Sequence, residues 1–227
     1  MLNGKTAVFF DADGTLIDHK ACEKHALQYV FDGLGLRYDE AYQDKFRTIE
    51  CELWVNAESG HIPHKDIFTM RFERLFDAID VDYNDFFNAD ELFKTGLAGS
   101  TALLNGAEEI MAYLYGKGFM LCVVTNGLVA LQKPRVMNSS IGKYISHIKV
   151  SEEVGVHKPN PLIFNTLLKR ISLNAGNVIM IGDSLQNDVQ GAINAGMQSV
   201  WFNPDSVGNT TGIQPDYEIN DLLELKI

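Results

Sequence analysis

Two carboxylates stand two positions apart, at Asp11 and Asp13, directly after the apolar run 8–10. The run is typical of a buried strand. Burying ionised acids costs free energy unless a cation or a hydrogen-bond donor meets them. A strand that ends in two acids therefore favours a reactive site, in which one carboxylate is a nucleophile and the other a general acid/base. A calcium-binding loop is disfavoured, because the chain lacks the later glutamate of an EF-hand loop.

Two later clusters offer groups that could bind a phosphate. Thr125, Asn126 and Gly127 follow the apolar run 119–124, and a hydroxyl, an amide and a helix N-terminus are donors to an anion. Lys158 stands just before a predicted helix, where the backbone could hold its charge over an anion. Each cluster also has an ordinary interpretation, since Asn-Gly is a common turn and a lysine before a helix is usually solvated.

A second pair of acids follows the apolar run 178–181. Asp183 comes after Gly182 at the predicted end of that strand, and Asp188 lies five residues later at the start of a helix. Helix capping would explain one of these acids but leaves Asp183 unexplained. The arrangement repeats that of Asp11, in which a carboxylate follows a buried strand.

The four acids Asp11, Asp13, Asp183 and Asp188 are expected to meet Lys158 at one end of a sheet. Two like charges about 4 Å apart repel by roughly 4 kcal/mol at an effective dielectric constant of about 20. One lysine neutralises only part of this charge, so the sequence predicts a divalent cation. Because the candidate ligands are oxygen atoms, we expect the ion to be Mg²⁺.

From about residue 106 onward, helices and short apolar strands alternate, which predicts an α/β fold with a Rossmann-like parallel sheet. In such sheets ligands bind beyond the carboxyl ends of the strands, where all four clusters lie. Asn160 is expected to cap a helix that begins at Pro161. The predicted strands are 119–124, 145–150, 177–181 and 198–202, the predicted helices are 108–116, 130–139 and 187–195, and the tail 217–225 could add a strand and a helix.

Residues 20–95 carry helical periodicity, and their apolar positions predict four helices. Aromatic side chains are concentrated in this segment, and a helix-bundle core explains them better than a pocket that stacks on a base. The predicted domains are a core, 1–17 with 98–227, and an inserted all-helical domain, 18–97.

The chain has 227 residues and a formal net charge of −11. This charge argues against nucleic acid polymers and membranes as partners, although one cation in a cleft would let a small phosphate ester bind. Three widely spaced cysteines, Cys22, Cys51 and Cys122, do not suggest a disulfide framework. No signal peptide or membrane span is visible, so we expect a cytoplasmic protein. His61 and His64 flank a proline, which predicts a loop and not a metal pair.

Together the four clusters resemble the motifs of the haloacid dehalogenase superfamily of phosphohydrolases, in the expected order and across essentially the whole chain. The motifs are Asp11-Ala12-Asp13-Gly14-Thr15-Leu16, Thr125-Asn126, Lys158-Pro159 and Gly182-Asp183 with Asp188. The helical insert is similar to the cap of that superfamily. The resemblance implies hinges near 17–19 and 97–99, where the chain crosses between core and cap.

Three stretches resemble more narrowly the bacterial 5′-nucleotidases that hydrolyse pyrimidine nucleoside monophosphates. These stretches are 150–156, 182–185 and 191–196. Ala12, between the first two acids, also fits that group. Pro134 departs from the pattern, because it falls where a helix should follow the second motif. A helix start near Gln132 would place this proline in the first turn, where proline is tolerated.

The resemblance implies a mechanism in which Asp11 attacks phosphorus and forms an aspartyl-phosphate. Asp13 protonates the leaving oxygen and later activates water. Mg²⁺ is held by Asp11, the backbone carbonyl of Asp13, and Asp183. Asp188 is expected to orient Lys158 or a metal-bound water. The residues implied to bind the phosphate together with Asp11 are Thr125, Asn126, Gly127 and Lys158.

The implied substrate is a small phosphorylated metabolite, most simply a nucleotide, and the chain could be a monomer or a homodimer. A phosphatase or phosphomutase acting on a sugar phosphate would keep all four motifs. A dehalogenase of the same superfamily needs no second acid, so Asp13 disfavours it. A phosphoryl-accepting signalling module is a further alternative, but receiver domains are much shorter and lack an acid two residues after the phosphorylated one. The intact acids disfavour a catalytically silent binding protein.

Overall fold

The computed structural model of the protein describes residues 1–226, apart from the side chain of residue 58. Its contacts divide the chain into two compact units, Met1–His19 with Thr101–Ile227, and Lys20–Ser100. The regular elements described in the second unit are helical, as the periodicity predicts. None of the described helices combines the length and the hydrophobicity that a membrane crossing requires.

The first unit is built on a six-stranded parallel sheet with the order β3-β2-β1-β4-β5-β6, which confirms the predicted α/β class. The strands are β1 (Ala7–Phe10), β2 (Met120–Thr125), β3 (Ile145–Val150), β4 (Val178–Gly182), β5 (Gln198–Phe202) and β6 (Tyr217–Ile219). Phe10 is level with Val123 of β2 and with Ile181 of β4. The three central strands therefore end at the same edge of the sheet.

The central strand β1 carries the first acid to that edge. Its four residues are fully buried, and continuous apolar residues are typical of parallel strands covered on both faces. The N–H of Asp11 donates to the carbonyl of Ile181 (2.9 Å), so the pairing with β4 extends past the strand. The sheet itself therefore fixes the backbone of Asp11.

The second unit contains α1 (His19–Gly33), α2 (Ala41–Glu58), α3 (Ile67–Ala78) and α4 (Phe86–Gly99). Its core is aromatic: the ring of Phe46 lies 5.0 Å from that of Phe93 and 5.4 Å from that of Phe72. These rings are buried, so they form a bundle core as the sequence predicts. His61 lies in a bend and His64 starts a short 3₁₀ turn, so the two share no regular helix.

Four helices belong to the first unit: α5 (Ala107–Gly116), α6 (Val129–Asn138), α7 (Pro161–Arg170) and α8 (Gln190–Asn194). The helix α7 begins as expected, since the side chain of Asn160 accepts a hydrogen bond from the N–H of Leu162 (3.0 Å). A π-helical turn, Leu185–Val189, leads into α8 where the sequence predicts a single helix. The tail forms β6 and the 3₁₀ helix Leu222–Leu225.

The helix predicted over 130–139 is confirmed as α6, but a start near Gln132, which would have placed Pro134 in the first turn, is not observed. The helix begins at Val129, whose N–H donates to the carboxylate of Glu152 (2.7 Å). A residue distant in sequence thus satisfies the first turn and interacts favourably with the helix dipole. Pro134 therefore lies inside the helix, where proline offers no N–H to the preceding turn.

A buried arginine links three helices of the second unit. Arg71 of α3 donates to Asp90 of α4 (3.0 Å) and to Glu50 of α2 (2.6 Å), and all three side chains are buried. Lys94 also contacts Asp90, at 2.7 Å. Removing one partner from such a network leaves a buried charge without compensation.

Replacing Arg71 with methionine is expected to destabilise the protein by about 3–5 kcal/mol, because Glu50 would stay buried without its cation. Equilibrium unfolding in urea measures the loss. The matched control is Arg74→Met: Arg74 is partly exposed, lies 3.6 Å from Glu52, and should contribute less than about 1 kcal/mol. Equal losses in the two variants would contradict the importance of the buried network.

Candidate active site

A cavity of about 240 Å³ opens at the edge where β1, β2 and β4 end. It is lined by Asp11, Asp13, Thr125, Asn126, Lys158, Asp183, Ser184, Asn187 and Asp188. The structure therefore brings together the four acids and the lysine that the sequence singles out. Ser184 and Asn187 also line the cavity, although the sequence reasoning assigned them no role.

Lys158 lies between two carboxylates, with only 4% of its surface exposed. Its Nζ donates to Oδ1 of Asp11 (2.5 Å), to Oδ1 of Asp188 (2.6 Å) and to the carbonyl of Val124 (3.0 Å). Burial would lower the pKa of this ammonium group, but the charges of Asp11 and Asp188 outweigh burial and raise the pKa above its ordinary value. Lys158 is therefore a permanent cation fixed in three directions.

The loop after β2 holds the backbone of Lys158. The Oδ1 of Asn126 accepts a hydrogen bond from the N–H of Lys158 (2.8 Å), and the Nδ2 of Asn126 donates to the Lys158 carbonyl (3.3 Å). The N–H of Gly127 donates to Oγ of Ser151 (3.0 Å). The N–H of Gly127, which the sequence assigns to phosphate binding, is thus engaged with the neighbouring loop in this structure.

Asp11, Asp183 and Asp188 place carboxylate oxygens within 4.8 Å of one another. Burial raises the pKa of Asp11 well above its ordinary value, against the opposing charge of Lys158. Desolvation, followed by repulsion from Asp188, raises the pKa of Asp183 to about 6, although this side chain keeps contact with solvent. Three acids share one lysine, so negative charge remains in excess, and the all-oxygen donor set fits a divalent cation.

The oxygens of Asp188 are both engaged within the protein. Oδ1 accepts from Lys158, and Oδ2 accepts from the N–H of Ser184 (3.0 Å). Asp188 therefore contacts Lys158 directly, which favours the first of the two roles considered for it. All three acids stay close enough for their oxygens to share one ion.

The position of Asp183 depends on residues that sequence reasoning did not assign to the site. Its N–H donates to Oγ1 of Thr15 (3.1 Å), and its carbonyl accepts from the indole N–H of Trp201 (2.9 Å). Gly14 has a φ of +81°, and a Cβ there would overlap the Asp183 carboxylate. Gly14 and Thr15 directly follow the first acids, which could have signalled their role, whereas the strand residue Trp201 carries no such signal.

Asp13 has a different environment, in which donors surround its carboxylate. Nη2 of Arg135 lies 2.7 Å from Oδ1, Nε2 of Gln132 donates to Oδ2 (2.7 Å), and Nδ1 of His19 lies 3.2 Å from Oδ1. Burial would raise the pKa of Asp13, but the charge of Arg135, followed by that of His19, holds the pKa well below its ordinary range. The sequence reasoning found none of these partners. Their only signal was the spacing of Gln132 and Arg135 on a helix after the second cluster.

Comparisons relate the chain to known proteins. Residues 8–202 match the family model of the haloacid dehalogenase-like hydrolases. The chain is 32% identical over 221 residues to the pyrimidine 5′-nucleotidase PynA of Streptococcus pneumoniae, and the alignment covers 96% of this chain and 93% of PynA. It is 31% identical over 225 residues to the pyrimidine 5′-nucleotidase YjjG of Escherichia coli, and the alignment covers 96% of this chain and 95% of YjjG. The crystal structure of the HAD-hydrolase YfnB from Bacillus subtilis, bound to magnesium, matches with a TM-score of 0.91 at 31% sequence identity. The match covers 97% of this chain and 96% of YfnB.

Neutralising Asp183 is expected to stabilise the protein in metal-free buffer near pH 7.5, because one of three mutually repelling carboxylates is lost. A carboxyl group whose pKa rises to about 6 on folding lowers stability as the pH increases from its ordinary pKa through about 6. Allowing for the exposure of Asp183, we expect Asp183→Asn to melt about 2–4 °C higher near pH 7.5, with a smaller difference near pH 5.

The control for this experiment is Asp205→Asn, which removes an exposed acid outside the cavity and should leave the melting temperature unchanged. Adding a divalent cation should raise the melting temperature of the unchanged protein more than that of Asp183→Asn. A lower melting temperature of Asp183→Asn in metal-free buffer, at both pH values, would contradict the electrostatic description of the cluster.

Proposed function

Because the chain belongs to the haloacid dehalogenase-like hydrolases, we propose that it is a Mg²⁺-dependent phosphomonoesterase that hydrolyses nucleoside 5′-monophosphates. Two relatives at 31–32% identity are named pyrimidine 5′-nucleotidases, which supports pyrimidine nucleotides as its substrates. The observation that carries the proposal is the buried Lys158 between Asp11 and Asp188, beside the further acid Asp183. A fixed cation beside an acid cluster suits a site that binds a phosphate and presents a carboxylate to phosphorus.

Asp11 is the proposed nucleophile. Lys158 holds its Oδ1, which sets the direction of the carboxylate for in-line attack on phosphorus. An aspartyl-phosphate bond forms and the bond between phosphorus and the nucleoside oxygen breaks. Asp13, which is ionised beside Arg135 in the resting site, takes up a proton from solvent and passes it to that oxygen. Asp13 then takes a proton from water, the water oxygen bonds to phosphorus, and Asp11 departs as a carboxylate with release of inorganic phosphate.

The phosphate oxygens are assigned to Lys158, the hydroxyl of Thr125 and the backbone of Asn126, all of which line the same cavity. These groups carry a positive charge or donate hydrogen bonds, and they are held in place before the substrate arrives. Fixed donors of this kind stabilise the charge of a phosphoryl group in the transition state.

Asp11 and Asp183, with the backbone carbonyl of Asp13, are the proposed ligands of Mg²⁺. The carboxylate of Asp13 is engaged with Arg135 and Gln132, which leaves the backbone carbonyl as the atom it can offer. A bound Mg²⁺ supplies the positive charge that lets the acids and the phosphate approach each other. The raised pKa values of Asp11 and Asp183 support a cation at this place.

The helical segment is assigned the choice of leaving group. The proposed cap is 18–97, inserted in a core made of 1–17 and 98–227, with hinges near 17–19 and 97–99. Its borders lie close to the point where the chain divides into two compact units. Interdomain movement is described for YfnB, which supports hinges at these crossings. A cap that closes excludes water from the reacting phosphate and contacts the nucleoside.

A screen for phosphate release tests the substrate. The purified protein is incubated with Mg²⁺ and nucleoside 5′-monophosphates, including uridylate and thymidylate, and with a set of sugar phosphates. We expect the pyrimidine nucleotides to be hydrolysed with the highest kcat/KM and activity to disappear when the metal is chelated. Preference for sugar phosphates would refute the nucleotidase assignment and leave a phosphatase. Transfer of phosphate within a sugar phosphate, without release, would instead identify a mutase.

Two variants test the proposed chemistry. Asp11→Asn should abolish turnover and phosphate labelling of the protein, because the attacking carboxylate is lost. Asp13→Asn should lower kcat by about 10²–10⁴-fold, because the proton donor and base is lost. Asp205→Asn is the matched control and should retain full activity. Turnover by Asp11→Asn at an unchanged rate would exclude the covalent route.

A further inference from the structure

We propose that Gln132 and Arg135 are positioning residues, which hold the Asp13 carboxylate in the one orientation from which it can exchange protons with the leaving group and with water. We call these two side chains the Asp13 clamp. The inference rests on the proposed function, since it assigns Asp13 the proton transfers of that reaction. It adds a role for two residues of α6 that lie outside the four sequence clusters.

The contact between Arg135 and Asp13 involves both ends of the carboxylate. Nη2 of Arg135 lies 2.7 Å from Oδ1, and Nη1 donates to Oδ2 (3.2 Å). One hydrogen bond and one close ion-pair contact from the same planar guanidinium restrict the rotation of the carboxylate as well as its position. Arg135 is 1% exposed, so the surrounding protein in turn prevents the guanidinium from moving aside.

Gln132 supplies the second contact of the clamp. Its Nε2 donates to Oδ2 of Asp13 (2.7 Å) and to the carbonyl of Asn126 (3.3 Å). Gln132 is 7% exposed. The same amide group therefore ties the carboxylate to the loop after β2, whose Asn126 also holds Lys158. Asp13, through Gln132, and Lys158 are therefore both connected to the same loop, at Asn126.

The geometry of α6 explains why these two residues act together. They are three positions apart, which puts both side chains on one face of the helix. Lys133 lies between them in sequence, but its Nζ contacts Glu153 (2.7 Å) and not Asp13. Replacing Lys133 is therefore a natural control, because the substitution removes a cation from the same helix and leaves the Asp13 clamp in place.

A carboxylate held from several sides loses its rotational freedom. His19 adds a further contact to Oδ1, at 3.2 Å, so Oδ2 accepts two hydrogen bonds and Oδ1 lies within 3.2 Å of two nitrogen atoms. Loss of one clamp residue leaves the acid present but able to rotate. Misplacement of a reacting group by about 1 Å slows a reaction by about 10²-fold. The clamp variants should consequently slow the proton transfers without removing the nucleophile or the phosphate site.

p-Nitrophenyl phosphate separates the two tasks of Asp13. Its leaving group departs as a stable anion without help from an acid, so formation of the aspartyl-phosphate does not need Asp13. Breakdown of the aspartyl-phosphate needs Asp13 to activate water. Stopped-flow absorbance of p-nitrophenolate, together with acid-quenched phosphoprotein, therefore measures formation and breakdown separately.

The variants are Gln132→Met, Arg135→Met and Arg135→Lys, with Lys133→Met as the matched control. We expect breakdown to slow by about 10–100-fold in Gln132→Met and Arg135→Met, with formation and KM nearly unchanged. Arg135→Lys keeps the charge but loses the two-point contact, so its breakdown rate should be intermediate. Lys133→Met should equal the unchanged protein, and Asp13→Asn should accumulate phosphoprotein.

Equal loss of both phases, or a smaller amount of active protein with unchanged rates, would identify a structural role and overturn the proposal. An unchanged breakdown rate in either methionine variant would overturn the assignment of that residue. If Arg135→Met does not fold, as shown by its circular dichroism and melting temperature, Gln132→Met and Arg135→Lys decide the question. Failure of the proposed function is distinguishable, because then the unchanged protein itself forms no phosphate bond to Asp11.

Discussion

The buried ammonium group of Lys158, held between Asp11 and Asp188, is the interaction on which the rest of the site depends. Leaving one buried charge without its partner costs about 3–5 kcal/mol, so the three groups must come together when the protein folds. This requirement accounts for the side chain of Asn126, which bonds both the N–H and the carbonyl of Lys158. Asp183 lies beside this group of charges, and with Asp11 it forms the proposed site for a cation.

Asp11 and Asp13 are only two residues apart, but their surroundings shift their pKa values in opposite directions. Burial and neighbouring acids raise the pKa of Asp11, whereas Arg135 and His19 lower the pKa of Asp13. Environments that push two carboxyl groups apart in pKa are characteristic of sites in which they have different tasks. Here Asp11 contacts Lys158, consistent with its proposed attack on phosphorus, and Asp13 contacts Gln132 and Arg135 of α6. The division follows from which elements surround each acid, since the two stand only two residues apart.

Local signals were reliable where the partner group is close in sequence, and unreliable where it is distant. Asn160 caps α7 as expected, because the accepting oxygen and the donating N–H are two residues apart. The start near Gln132 that was considered for α6 is not observed, because Glu152, after β3, accepts the N–H of Val129 and the helix begins there. The hydrogen bond from Gly127 to Ser151 likewise joins two loops that are distant in sequence, and the sequence carries no signal for it.

The sequence by itself determined the parallel α/β class, the helical insert and the polar clusters at the ends of β1, β2 and β4, because period, strand polarity and residue type are local properties. Only the tertiary structure decided that Asp188 bonds Lys158, that Thr15 and Trp201 hold Asp183, and that α6 turns Gln132 and Arg135 towards Asp13. Several of those contacts join residues that lie more than a hundred positions apart in the sequence. Their pairing depends on strand order, register and the phase of each helix, which are set when the whole chain packs.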